Sequence, residues 1–168
     1  MPGRTRFLVI AGAALALAGI LGAFLIGRSA RADELQIPDR LGKLILVETQ
    51  SGAAAAAEIQ RLHGSAFPLA SAAVARYGPA GEASLWVAGT VSEDEAAALL
   101  EAMHLAIETA DSPFTAQEPQ VIAGVTVYPL RGMGQEHMYF QSGRLVLWLA
   151  ADAGVAETAR LAVVEAYR

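Results

Sequence analysis

Apolar and polar positions divide this chain into one long uninterrupted apolar run followed by a series of short periodic segments. The run, Phe7 to Gly27 (FLVIAGAALALAGILGAFLIG), contains no charged residue. As a helix it would be about 31 Å long at ~1.5 Å per residue, which matches a hydrocarbon core of ~30 Å, so it predicts a transmembrane span. After a polar stretch, Leu44 to Val47 is apolar throughout and bounded by turn residues, the pattern of a strand covered on both faces. Ala53 to Leu62 switches to helical spacing, with Ala55, Ala56, Ile59 and Leu62 on one stripe, His63 beside the helix C-terminus and Gly64 at C′.

The next segments read as hairpins and helices in turn. Ala72 to Tyr77 and Ala83 to Ala88 are strands around a Gly78–Gly81 turn. Ser92-Glu93-Asp94-Glu95 is a capping box that starts a helix running to about Ala110, with Ala96, Leu99, Leu100, Met103 and Ile107 as its buried stripe. Asp111 to Pro119 is a linker. Val121 to Leu130 is β-rich, with a kink or tight turn at Gly124. Met138 to Phe140, a Gln141–Gly143 turn and Leu145 to Ala150 make a second hairpin, and Asp152 is placed to cap a last helix, Val155 to Ala166. The predicted order is β-α-β-β-α-β-β-β-α.

Part of this pattern occurs twice. Shifted by 62 positions without a gap, Tyr77 falls on Tyr139, Gly81 on Gly143, Leu85 on Leu147, Trp86 on Trp148, Ala88 on Ala150 and Leu99 on Leu161. An internal β-β-α pseudo-repeat, with units at about 72–110 and 134–168, follows from it. The expected fold is α+β: two layers, a mainly antiparallel sheet with helices on one face, preceded by the N-terminal transmembrane helix. The boundaries read as 1–32 for the membrane segment, 33–42 for a juxtamembrane linker and 43–168 for one domain.

Charge and composition change the picture in two ways. Four of the twelve basic residues, Arg4, Arg6, Arg28 and Arg31, flank the apolar run, so the rest of the chain sets 8 basic residues (12 less those 4) against 17 acidic ones. With Lys43 as the only lysine there is no basic stripe for phosphates, and nucleic acid is not expected as a partner. The absence of cysteine removes disulfides, thiolate metal sites and thiol nucleophiles. Arg4 and Arg6 ahead of the run fit an export signal, and the short N-terminal tail stays cytoplasmic while the acidic body crosses. The expected location is the cell membrane, single-pass, with an extracytoplasmic domain. Ala30-Arg31-Ala32 also reads as an A-x-A cleavage site, which would leave a secreted protein beginning at Asp33.

Chemistry-bearing motifs are sparse. The chain has no H-E-x-x-H, EF-hand spacing, G-x-S-x-G, S-x-x-K or phosphate-cradling glycine loop, and no catalytic, cofactor or metal residue is assigned. His104 belongs on a helix flank. Glu136 to Ser142 (EHMYFQS) fits the E-x-x-Y-x-Q-[S/G] pattern cut by a viral protease used to remove purification tags, but it continues a strand of the repeat and reads as native.

Two candidate binding features stand out. One is the loop Arg131 to His137, where Met133, Gln135 and His137 are brought forward by two glycines, and where the repeat register sets Ala75 opposite His137. His137 is expected to be partly exposed, sharing a strand face with Tyr139. The other is the tryptophan pair, Trp86 and Trp148, with the tyrosines beside it, which would either pack in the core or line a cleft.

The succession Leu44-x7-Gly52-x-Ala54-x-Ala56-x-Glu58-Ile59, then Ala75-Arg76-Tyr77-Gly78, Leu85-Trp86-Val87 and Ser92-Glu93-Asp94-Glu95-Ala96, resembles uncharacterised exported bacterial domains. The resemblance implies a cell-envelope setting and carries no functional residue. The leading expectation is a membrane-anchored, extracytoplasmic, non-catalytic domain that binds a protein partner or serves as an accessory subunit of an envelope complex. The alternative is a secreted small-ligand-binding or hydrolytic protein using the His137 loop.

Overall fold

The computed structural model describes residues 35–63, 67–109 and 112–168. The Phe7–Gly27 run, Asp33 of the linker, Gly64 and the Ala110 helix end lie outside the described residues. Among the described residues no helix is long and apolar enough to cross a membrane.

The chain runs β1 (Arg40–Leu41), β2 (Leu44–Ser51), α1 (Ala53–His63), β3 (Ser71–Tyr77), β4 (Ala83–Gly89), α2 (Glu93–Thr109), β5 (Phe114–Ala116), β6 (Gln120–Ile122), β7 (Val125–Gly132), β8 (Gln135–Ser142), β9 (Leu145–Ala151) and α3 (Ala156–Tyr167). The strands form one antiparallel sheet, ordered β1-β2-β3-β4-β9-β8-β7-β5, with β6 also on β7. The expected α+β class and antiparallel sheet are what the molecule has. The added elements are β1, β5 and β6, each too short to show a periodicity. β6 and β7 are a hairpin around Ala123 (φ 49°) and Gly124 (φ 85°), which settles Gly124 as a tight turn.

The expectation of helices on one face is wrong. Alternation along the central strands gives the sheet two apolar faces, and helices pack on both. On one, Leu85, Val87, Phe140, Leu147 and Leu149 pack against Ala159, Val163 and Val164 of α3. Leu41 and Leu44 from one end of the sheet and Val127 from the other join the same cluster, so the sheet curls around α3. On the opposite face, Ala55 and Ile59 of α1 cover Ala72, Val74 and Ala88, while Ala96 and Met103 of α2 cover Leu130, Tyr139 and Val146. Leu62, expected on the α1 stripe, is 62% exposed.

The two helix starts differ in kind. Glu95 N–H donates to Ser92 Oγ at 3.2 Å, and the Glu95 carboxylate accepts from Val91 N–H at 3.4 Å, so the capping box forms one residue out from the expected reciprocal bond. At α3 the N-cap is Val155 with no side-chain cap, and Asp152 contributes its backbone carbonyl to Val155 and Ala156 while its carboxylate accepts from Gln135 Nε2. The Asp152 side-chain cap is therefore a further correction.

Residues read as part of the juxtamembrane linker are docked. Leu35 and Ile37 pack against the α3 face, Tyr167 Oη donates to the Gln36 carbonyl at 2.7 Å, and Tyr77 Oη donates to the Pro38 carbonyl at 2.9 Å. Burial raises both phenol pKa values, that of Tyr167 to about 12, so each hydroxyl keeps the proton it donates.

The pseudo-repeat holds for β4 and β9, which pair with Trp86 directly opposite Trp148. It fails for the strands before them. Val74 pairs with Trp86, whereas Tyr139 pairs with Trp148, so Tyr139 stands where the first unit has Val74 and not Tyr77. The reason is turn length: Gly78 to Glu82 joins β3 to β4, but only Gly143 and Arg144 join β8 to β9. An odd offset moves a side chain to the other face. Tyr77 accordingly lies on the α3 side and Tyr139 on the α2 side.

Candidate functional site

Across β7, β8, β9 and β4 the register places Tyr128, Tyr139, Trp148 and Trp86 in one row on the face that α1 and α2 cover. Directly opposed cross-strand aromatics stack, and here they do. Tyr139 and Trp148 have ring centroids 5.5 Å apart at 14°, and Tyr128 and Tyr139 are 5.4 Å apart at 29°. From α2, His104 sets its ring 4.2 Å from Tyr128, and its Nδ1 lies 2.5 Å from the Tyr139 hydroxyl. Burial, with smaller effects from Tyr128 and Glu108, pushes the Tyr139 pKa up to about 12, so the phenol is neutral at physiological pH.

His137 is buried, 5% exposed, and not at a cleft mouth. Its Nε2 donates to the Gly132 carbonyl at 3.1 Å, and its Nδ1 lies 3.2 Å from Trp148 Nε1. An indole N–H only donates and a carbonyl only accepts, so the partners fix a neutral ring protonated at Nε2. Burial lowers the His137 pKa, outweighing the opposing effect of the Gly132 bond. Phe114 closes the site from β5, edge-on to His137 at 4.8 Å and to Trp148 at 5.2 Å. This approach depends on Gly132, where a Cβ would run into the Pro113 carbonyl oxygen. Both ring nitrogens being engaged, His137 has neither a proton to shuttle nor a lone pair to offer a ligand.

The Arg131–His137 loop is a two-residue hairpin turn. Met133 (φ 52°) and Gly134 (φ 81°) occupy its left-handed positions between β7 and β8. Met133 is 76% exposed at the tip, and Gln135 is held by Asp152 at 3.0 Å. The structure thus brings together His137, Tyr139 and Trp148 but leaves Met133 and Gln135 apart from them. Trp86, opposite Trp148, donates instead to Glu58 Oε1 at 3.0 Å, and Arg76 bridges Glu58 at 3.6 Å and Glu48 at 3.4 Å.

Both tryptophans do line a cavity, with Ile59, Leu99 and Met103, but it measures only about 20 Å³ and is apolar throughout. That volume admits a single water at most, and its walls give a water no polar partner. Beside it, sharing Phe67, Leu99 and Met103, an open groove of about 390 Å³ runs along α2, with Ala98, Ala102 and Ala106 on one wall. Glu95 is the one charged residue lining it, at its α2 N-terminal end. Among the described residues no group of three or more His, Asp or Glu side chains is placed to hold a metal ion.

Sequence reasoning missed Tyr128, Phe114 and the His104–Tyr139 contact, since each depends on strand pairing or on where α2 lands. The groove had a readable signal: Ala98, Ala102 and Ala106 recur every four residues on one helical side, adjoining the buried stripe at Leu99 and Met103. Compared with models of protein families, with curated proteins and with solved structures, the chain matches none.

Proposed function

We propose that this chain is a membrane-anchored extracytoplasmic domain without catalytic activity, a protein-binding or accessory subunit of a cell-envelope complex. The observation that carries the reading is the groove along α2: an open, largely apolar channel of about 390 Å³ beside the helix that covers the tryptophan face. Leu105 of the same helix and Val91, just before its start, add exposed apolar surface, at 59% and 65% exposure. Contiguous exposed apolar surface of this kind marks interaction sites. The polar groups of the His137 loop are engaged with other residues of the fold, His137 by Trp148 and Gly132, Gln135 by Asp152, and Glu136 by Arg160 at 3.1 Å. The small-ligand or hydrolytic alternative relied on an accessible His137, and the ring is covered.

Anchoring rests on the uncharged Phe7–Gly27 run and its flanking arginines, and an extracytoplasmic domain fits the acidic body and the resemblance to exported bacterial domains. The test is purification from native membranes. Intact mass retaining residues 1–32, membrane fractionation and a stoichiometric co-purifying protein are expected. A mature form starting at Asp33, recovered alone from the extracytoplasmic fluid, would contradict both anchoring and partnership.

A further inference from the structure

The exposed side of α2 carries more order than a solvated face needs. Within the helix Ala98, Ala102 and Leu105 follow the a/d spacing of a heptad, with Glu95 at the a position one turn before them, and all are exposed. The neighbouring g positions are Asp94, Glu101 and Glu108, seven apart, each acidic and exposed. No Lys or Arg occurs anywhere in α2. The buried stripe, with Ala96 and Met103 against the sheet, lies on a different side of the same helix, so this second seam is not explained by the fold. Between the two runs the groove, about 16 Å from Glu95 to Ala106 at ~1.5 Å per residue.

From this geometry we infer that α2 docks an amphipathic helix of a partner protein, whose apolar stripe fills the groove and whose flanking Lys or Arg residues pair with Asp94, Glu101 and Glu108. The inference rests on the protein-binding reading above and names the class of partner. Small side chains at 98, 102 and 106 let a second helix come close, and an exposed a/d seam with charged g positions is how helices choose partners. Charge decides between occupants. A second copy of this chain packed antiparallel would set acidic g positions against acidic g positions, which repel, and packed parallel would set them against Leu99 and Ala106, which offer no charge, whereas a basic-flanked helix gains at each of the three.

The test uses the full chain in nanodiscs of zwitterionic lipid and two labelled probe helices of about 16 residues, long enough to be partly helical alone. They share an Ala/Leu stripe at a and d; one carries lysine at e and g, the other glutamate. The lysine probe is expected to bind, weakening as salt rises, and the glutamate probe is expected not to bind. Ala102→Arg, at an exposed helical position, fills the groove, and Glu101→Lys with Glu108→Lys reverses the bank. Each is expected to weaken the lysine probe about tenfold or more with an unchanged circular dichroism spectrum. Equal binding of the two probes, or no effect of Ala102→Arg, would overturn the inference. So would saturation of the groove by dodecanoate with no peptide binding, which would make it a small-ligand site. A partner still co-purifying from native membranes with the Ala102→Arg chain would overturn helix docking while leaving the protein-binding reading standing.

Discussion

Trp86 and Trp148 sit opposite each other on adjacent strands, in the same Leu-Trp-x-Ala context, yet they belong to different kinds of environment. Trp86 donates to Glu58, a carboxylate also held by Arg76 within an ion-pair chain that reaches solvent. Trp148, half-buried like Trp86, donates into an aromatic cluster, to a neutral His137 that packs edge-on to Phe114. The helices that follow the two strands diverge too, α2 covering the tryptophan face and α3 the opposite one. Similar strands thus lead to dissimilar surroundings because the connections differ. Thr90 to Ser92 delivers a capped helix to one face, while the Asp152–Val155 turn carries α3 to the other. A repeated strand pattern specifies how that strand pairs and says little about what lies above it.

The comparison breaks most visibly when each indole is removed. Trp148→Ala should cost about 3 kcal/mol or more, as large aromatic truncations in packed sites do, and Trp86→Ala distinctly less, since Trp148 packs against the rings of Phe114, His137 and Tyr139 while the Glu58 that Trp86 leaves keeps Arg76. Chemical denaturation of both variants measures the difference. The conservative pair isolates the N–H: Trp148→Phe leaves His137 Nδ1 buried without a donor, about 1–2 kcal/mol, whereas Trp86→Phe leaves Glu58 with Arg76 and should cost under ~1 kcal/mol. The Gln141–Ser142 bond gives a second readout. It lies at the end of β8, paired with β7 and β9, so the viral protease that reads E-x-x-Y-x-Q-S should cut only opened molecules, and Trp148→Phe faster than Trp86→Phe.

Gly132→Ala comes next. Its Cβ meets the backbone of Pro113, which cannot swing aside as a side chain would, so β5 must move and carry Phe114 off His137. A loss of about 1–3 kcal/mol is expected, with a changed tryptophan emission. The pH dependence follows from the same ring. The His137 pKa is lowered on folding from 6.5, so below about pH 6.5 the unfolded chain binds a proton that the folded one resists. Its contribution to stability is complete above that pH and declines as pH falls. Thermal melts between pH 7.5 and 5.5 should show a slope that is reduced in a His137→Leu variant. The smallest effect is at the turn: Met133→Asn suits a left-handed position better and should stabilise by up to about 1 kcal/mol without altering any interior contact.

How much of this was legible follows from what each signal depends on. Local signals survived: the Ser92 capping box, the Ala83–Ala88 and Leu145–Ala150 strands, the helical stripe through Ala96 and Met103, and so the α+β class. Non-local ones did not. The ungapped alignment of Tyr77 with Tyr139 is real in the sequence, but a shorter second turn offsets the strands and puts the two rings on opposite faces. For the same reason Ala72, not Ala75, is the structural counterpart of His137, and a histidine expected at a loop mouth is in the interior. Its partners, Gly132 and Trp148, are fixed by pairing that no local pattern encodes. Conversely, the acidic heptad on α2 is legible in the sequence, since the helix dipole accounts for Glu93 to Glu95 but not for Glu101 or Glu108.

The central claim is that this domain meets its partner through the α2 groove and that the His137 region is structural. Photo-crosslinking in intact cells tests it most directly, with a benzophenone amino acid placed at Ala102 in one strain and at Met133 in another. Both positions are exposed, so neither substitution disturbs the core. The account predicts a discrete protein adduct from position 102 and none from position 133. An adduct from 133 with none from 102 would contradict it.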